Sequence, residues 1–383
     1  MRKRVTTLEG ILAFGLLIAV GLPAHAQDGS KNRFFKGLST GLEFYRQIEA
    51  SGGWPSVPAG DTLKPGLNHP RVTALRQRLS ISGDYIGAET DSPVYDEELK
   101  QAVIAYQDRN GQEPDGVVGK STIASLNIPV TSRIKQMKIN LERWRRMPAS
   151  LGKKFVLVNM AGFELEAIEG HKTVLEMRVV VGKAYHDTPM FSDTIRTIEI
   201  NPYWNVPPSI ANGELLPSYV KGTAKAAEQG FEIMRGGKPV AIDSVDWSSH
   251  IGKTLPFNIR QRPGPTNALG DMKFLFPNKH NVYLHDTNAR SLFAKTVRAF
   301  SHGCVRLQKP RELATYLLQV NGDWPRERID QVVASGINTT AKLAAPMPVH
   351  LAYMTAWLDR KGFVQFRPDI YGRDAKLAKE LNL

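Results

Sequence analysis

The spacing of apolar residues changes character once along the chain, at Lys154. Before that point it is helical. Residues 11–22 form an unbroken apolar run, too short for the roughly twenty residues a bilayer span needs. Residues 34–49 predict a short helix with Leu38, Leu42, Phe44 and Tyr45 on its apolar face. Pro70 opens a helix with Val72, Leu75 and Leu79 inward. After a loop over 80–95, Asp96 begins a second helix carrying Leu99, Val103 and Tyr106, ended by Asn110 and Gly111. Residues 115–122 turn into a third short helix ending near Leu126. Residues 133–147 place Ile134, Met137, Leu141 and Trp144 at helical spacing, a stripe that reads as core.

From Lys154 the period is two. Residues 155–158, 163–167 and 174–181 read as successive strands, and 198–201 as another short one. Residues 207–258 break the alternation with a helix-like stretch at 218–229, so they read as an insertion. Residues 262–270 are a Pro/Gly-rich loop, 281–285 a strand, 301–304 a Gly-containing turn and 310–320 a helix. Residues 347–354 and 364–367 are expected to complete the sheet, and 377–383 to be a ragged end. The fold class is α+β and multidomain: an N-terminal arm (27–65), a three-helix domain (66–128), a linker helix (129–152), a mostly-β domain (153–325) carrying the insertion, and a C-terminal segment (326–383) completing that domain.

Composition changes this picture little. A chain of 383 residues has room for two or three domains, and 42% hydrophobic with 23% charged residues is ordinary for a globular protein. The net charge of +13 suits acidic envelope polymers. The basic residues are scattered and no nucleic-acid motif is present, which argues against a nucleic-acid partner. The N-terminus adds more. Arg2, Lys3 and Arg4 precede the apolar run, and Pro23, Ala24, His25 and Ala26 follow it, the pattern of a signal peptide cleaved after residue 26. The expected location is the periplasm.

Export gives meaning to the one cysteine, Cys304. Exported proteins tend to use cysteines in pairs, so a single thiol is either dispensable or chemically employed. A thiol needs a base, and two imidazoles are close in sequence, His302 and His285. Sequence does not say which faces the sulfur. A strand ending at His285 beside a tight turn brings that imidazole to Cys304, whereas His302 contributes its backbone. With Gly303 permitting the turn, the N–H groups of Gly303 and Cys304 are expected to converge on one oxyanion. Tyr283 shares a strand face with His285 and is expected to line the same groove, Trp204 with it. No HExxH, Cys-x-x-Cys pair or dense His/Asp cluster suggests a metal, and no cofactor is expected.

His285 followed by the run Ser301, His302, Gly303, Cys304, Val305, Arg306 resembles the signature of the YkuD-type L,D-transpeptidases. Residues 201–207, 262–270 and 274–278 resemble the large, YcbB-like branch, as does Asp286 where the family often has glycine. The resemblance implies a mostly-β catalytic domain with its site in a groove, the insertion as a lid, and a peptidoglycan-binding helical domain. It implies Cys304 as nucleophile and His285 as base, with the Asp286 carbonyl orienting the ring and Ser301, His302 and Gly303 shaping the oxyanion turn. Arg306, by its charge, is expected to orient the turn, pair with a substrate carboxylate or form a structural salt bridge. The implied reaction is acyl transfer from the third stem residue, releasing D-alanine, to an amine. It makes 3-3 peptidoglycan cross-links or attaches protein, including outer-membrane protein, to the wall, a role in cell-wall organisation and cell shape. The alternatives are a carboxypeptidase or hydrolase using the same thiol, and a non-catalytic peptidoglycan-binding protein.

Overall fold

The computed structural model describes residues 30–383, so the expected signal peptide lies outside the described residues. The chain divides into two compact units, one reaching Ser150 and also containing Met354–Leu383, the other Leu151–Tyr353.

The first unit holds α1 (Ser30–Ala50), α2 (Pro70–Ile81), α3 (Glu97–Arg109), α4 (Lys120–Leu126) and α5 (Val130–Arg146). Pro70 stands in the first turn of α2, where its missing N–H costs nothing, and the Asp96 carboxylate accepts the Leu99 N–H to cap α3. Val72, Leu75, Leu79, Leu99, Val103, Ile123 and Leu126 make one buried cluster.

Three expectations are corrected in this unit. The expected arm is a packed element. Helix α1 lies on α5, Phe34 stacks on Trp144 at 4.7 Å, and the Tyr45 hydroxyl meets the buried Arg109 guanidinium. The end of the chain belongs here and not to the sheet domain. Ala356–Leu358 pairs with Val364–Phe366 in a separate two-stranded ribbon. Residues 377–383, expected to be ragged, begin inside a helix, Arg373–Glu380, whose Leu377 and Ala378 pack on Ile139 of α5. A period-two pattern says that a segment is a strand but does not name its partner.

The second unit is built on β1 (Lys154–Asn159), β2 (Glu164–Glu169), β3 (Lys172–Gly182), β4 (Phe191–Ile200), β5 (Trp204–Asn205), β6 (Phe231–Arg235), β7 (Lys238–Val240), β8 (Asn258–Gln261), β9 (Met272–Leu275), β10 (Leu284–His285), β11 (Ala299–Ser301), β12 (Val305–Leu307) and β13 (Thr339–Ala352). The main sheet runs β11-β3-β12-β10-β9-β4-β13-β1-β2, and β3 pairs again with β2. The first part of β3 holds β2 and its end holds β12. Strand β13 lies between β1 and β4 and does complete the sheet.

The insertion has its own core. Strands β5-β8-β6-β7 form a separate sheet, packed with Leu216, Tyr219, Ile233, Trp247, Phe257 and Ile259. The helix expected at 218–229 is two, Leu216–Lys221 and Ala224–Glu228, split at Gly222, whose φ of 151° only glycine adopts readily. The strand before His285 is also shorter than its pattern. Asn281 takes φ 53°, and the Asn278 amide donates to the carbonyls of Phe276 and Val282, so a turn replaces its first half.

Candidate active site

Strand β12 lies parallel to β10, with Leu284 opposite Val305 and His285 opposite Arg306. The Val305 N–H donates to the Tyr283 carbonyl, which extends that register one step to Tyr283 and Cys304. Side chains two apart on a strand share a face. Tyr283, His285, Cys304 and Arg306 therefore occupy one face of the sheet. His285 is diagonal to Cys304, on the neighbouring strand.

The His285 ring on this face is fixed locally. The buried His285 ring is bonded through Nδ1 to the backbone carbonyl of Asp286. Its Nε2 has no hydrogen-bond partner among the described residues. Burial pushes the His285 pKa down to about 3, helped by the nearby Arg306 and Lys273 charges and opposed by the Asp286 carbonyl. Burial pushes the Cys304 thiol up, opposed by the N–H and hydroxyl of Tyr283 and by Lys273 and Arg306. The resting pair is therefore a thiol and a neutral imidazole. In the free chain the thiol faces the Asn281 carbonyl at 3.9 Å.

The turn departs from expectation at Gly303. Its N–H donates to Ser301 Oγ at 3.1 Å, and Ser301 Oγ donates in turn to the Cys304 carbonyl at 2.5 Å. Gly303 is thus occupied and is not a free oxyanion donor, because the serine hydroxyl closes the turn from within. The N–H groups of His302 and Cys304 make no hydrogen bond among the described residues and remain for an oxyanion. Gly303 itself takes φ 112°, so a side chain there is strained. Thr188 pins the turn from outside, donating to the Gly303 carbonyl at 2.8 Å while accepting the Gly182 N–H at 2.9 Å.

Three further candidates have distinct surroundings. The Asp286 side chain follows His285 and so faces the other side of the sheet, where it accepts from Arg290 at 2.7 Å and from the Asp271 N–H at 3.0 Å. There it lines a polar cavity of about 460 Å³ with Arg290, Arg311 and Asp271, away from the sulfur. Trp204 belongs to the insertion's sheet, paired with Gln261 and stacked toward Phe231. Arg306 has no carboxylate partner among the described residues, and its buried Nε lacks a hydrogen bond, so it is not a structural salt bridge. Burial lowers its pKa.

Residues not singled out in the sequence complete the site. His302 Nε2 lies 2.6 Å from Glu214 Oε1 in the insertion, and its ring stacks near His186 with centroids 5.0 Å apart. On β9, Lys273 is opposite His285 and holds its ammonium 4.4 Å from the centre of the Tyr283 ring. A lysine inside the apolar run 272–276 was the one visible signal; nothing in the sequence marks Thr188 or Glu214.

Residues 153–333 match the family model described as YkuD, L,D-transpeptidase catalytic domain, and residues 68–126 match the one described as "Putative peptidoglycan binding domain". This sheet unit belongs to the YkuD L,D-transpeptidase family. A curated relative from Haemophilus influenzae, described as "Putative L,D-transpeptidase", is 36% identical over 264 residues, 67% of this chain and 53% of the relative. The chain thus spans about half the length of that relative. A solved L,D-transpeptidase from Stackebrandtia nassauensis is 14% identical, covering 78% of this chain and 96% of that one, with a TM-score of 0.28. One from Xylanimonas cellulosilytica is 18% identical, covering 77% and 98%, with a TM-score of 0.21. Likenesses of that extent add nothing to the family match. The YkuD unit is thus accompanied by a helical domain of the peptidoglycan-binding type. No described helix is long and apolar enough to cross a membrane, and no described His, Cys, Asp and Glu residues are grouped to hold a metal.

Proposed function

We propose that this chain is a periplasmic L,D-transpeptidase in which Cys304 carries the acyl group. The carrying observation is the shared face of Tyr283, His285 and Cys304 on parallel strands. His285 Nε2 takes the thiol proton as the sulfur attacks the carbonyl of the third stem residue. Because the resting pair is neutral, proton transfer accompanies attack and no thiolate–imidazolium pair precedes it. The Asp286 carbonyl holds the ring with Nδ1 protonated. The oxyanion is taken by the His302 and Cys304 N–H groups, a donor of this kind being worth about 3 kcal/mol. Collapse expels D-alanine, which receives the proton from His285. A second stem's amine, or a protein amine, then attacks the thioester, giving a 3-3 cross-link or a wall-attached protein.

Arg306, a half-buried cation with no carboxylate partner among the described residues, suits the carboxylate of the donor stem. The insertion serves as a lid: Glu214 reaches the turn that bears the nucleophile, which favours an amine over water as acceptor. The helical domain raises the local concentration of wall polymer. The family match and the paired thiol and imidazole support this reading over a non-catalytic wall-binding protein.

The test is mass spectrometry of the chain and its Cys304→Ala variant with disaccharide-tetrapeptide. A dimer lighter by one D-alanine, formed only with the thiol, is expected. Tripeptide without dimer favours the carboxypeptidase reading. Neither product, with no adduct at Cys304, overturns the proposal.

A further inference from the structure

The registers of four strands align one row of ionisable residues across the sheet. Glu199 on β4 is opposite Lys273 on β9, Lys273 is opposite His285 on β10, and His285 is opposite Arg306 on β12. Directly paired residues share a face, so this row adjoins the one formed by Tyr283 and Cys304. Lys273 Nζ is 3.6 Å from Glu199 Oε2, and the two side chains are only 19% and 27% exposed. The same ammonium is 4.4 Å from the centre of the Tyr283 ring, within cation–π range. Tyr283 is itself opposite Cys304 on that face, and its hydroxyl opposes the rise that burial imposes on the thiol pKa.

We propose that Lys273 is a positioning residue: clamped by Glu199 over the Tyr283 ring, it holds that ring beside Cys304 and makes its hydroxyl a stronger donor toward the sulfur. A cation over a phenol draws electron density from its oxygen and makes the O–H a stronger donor. A charged sulfur gains more from a strong donor than a neutral one does. Donation from the Tyr283 hydroxyl therefore gains most as negative charge develops on sulfur during proton transfer to His285, and again when the thiolate leaves at deacylation. Lys273 does not fit a substrate-binding cation, because its charge already has Glu199; Arg306 is the cation on this face without a carboxylate. The charged and titratable groups facing the sulfur are Tyr283 and His285 from β10, Lys273 from β9 with Glu199 behind it on β4, Arg306 from β12, and His302 from the turn.

This inference rests on the acyl-transfer reading, and two readouts on the full chain separate them. The first is kcat and KM for transfer from a tetrapeptide stem. The second is the pH dependence of Cys304 alkylation by iodoacetamide, which needs no substrate. Lys273→Met is expected to lower kcat about tenfold with little change in KM, the size of a desolvated cation–π contact. It should also move the alkylation midpoint to higher pH. Lys273→Arg, which keeps the cation, is expected to restore most of both, with unchanged circular dichroism in each variant. An effect of Lys273→Met on KM alone would make the residue a substrate contact and overturn the proposal. So would an unchanged alkylation profile, or a Lys273→Arg chain as impaired as Lys273→Met. If the unsubstituted chain alkylates at Cys304 yet never acylates, the acyl-transfer reading fails, while the shift of the alkylation midpoint still decides the role of Lys273.

Discussion

Gly270 and Asp286 compete for one space. A Cβ on Gly270 would stand 2.5 Å from the Asp286 carboxyl carbon, and Gly270 also takes φ 59°. The missing side chain at 270 is what admits an aspartate after His285. Asp286 is then held by Arg290 and the Asp271 N–H, which fixes the carbonyl that orients the His285 ring. Gly270→Ala should therefore cost about 2–3 kcal/mol of stability from clash and backbone strain together. It should also lower kcat by misaiming His285. Adding Asp286→Gly removes the clash but not the strain, so the double variant should recover part of the loss. Thermal unfolding and transfer rates on the four chains of the cycle check this.

The pH profile should carry the mark of a buried neutral imidazole. With the His285 pKa near 3, the ring is neutral above that value and protonated only below it. The acylation rate per folded molecule should therefore show no step near the ordinary histidine value of about 6.5. Stability has a different window. The unfolded chain protonates this histidine from about 6.5 downward while the folded chain does not, so His285 costs stability progressively as the pH falls from there toward 3. Unfolding followed alongside single-turnover acylation separates the two. A step near 6.5 in the rate itself would remove His285 from the role of base.

What the sequence reveals about the site is the part that is close along the chain. Cys304 and His285 stand out because the one cysteine, a Gly turn and a β-prone stretch ending in histidine lie close together along the chain. The Asp286 carbonyl is legible for the same reason. Thr188, Glu214 and the Glu199–Lys273 pair reach the site only through strand order and the insertion, and neither is written in local periodicity. The Gly303 N–H is not free as expected, because a serine two residues earlier closes the turn itself. In the fold, element types were readable from the two periods, but partners were not. The strand at 364–366 belongs to a ribbon beside α1 because Gly41 leaves room there for Val364, a fit that no alternation pattern encodes.

The contact between Glu214 and His302 should govern the fate of the acyl-enzyme more than the stability of the chain. The Glu214 carboxylate is half exposed, so the pair adds about 1 kcal/mol at most to folding. It is, however, where the insertion meets the turn that carries the nucleophile. Glu214→Ala is expected to leave the melting temperature nearly unchanged and to raise the ratio of tripeptide to cross-linked dimer several-fold. Counting both products by mass spectrometry at fixed acceptor concentration checks it. An unaltered ratio would mean that this contact does not shield the thioester.

The C-terminal helix should prove essential to the first unit. Arg143 of α5 donates to Asp374 at 2.5 Å, and Asp374 accepts from the Thr355 hydroxyl at 2.7 Å. The Asn140 amide donates to the same Thr355 oxygen at 2.8 Å and accepts its N–H at 2.9 Å. The Arg143 and Asp374 side chains are 3% and 15% exposed, so neither charge can turn to water if its partner is lost. Burial raises the Asp374 pKa against the pull of Arg143. Asp374→Ala takes the carboxylate away from a buried guanidinium, a defect that costs about 3–5 kcal/mol. A truncation before residue 370 also uncovers Ile139 and should be worse. Because this network lies wholly within the first unit, the unfolding transition of that unit should fall while Cys304 in the sheet unit keeps its alkylation rate. Loss of both together would mean that the two units unfold as one.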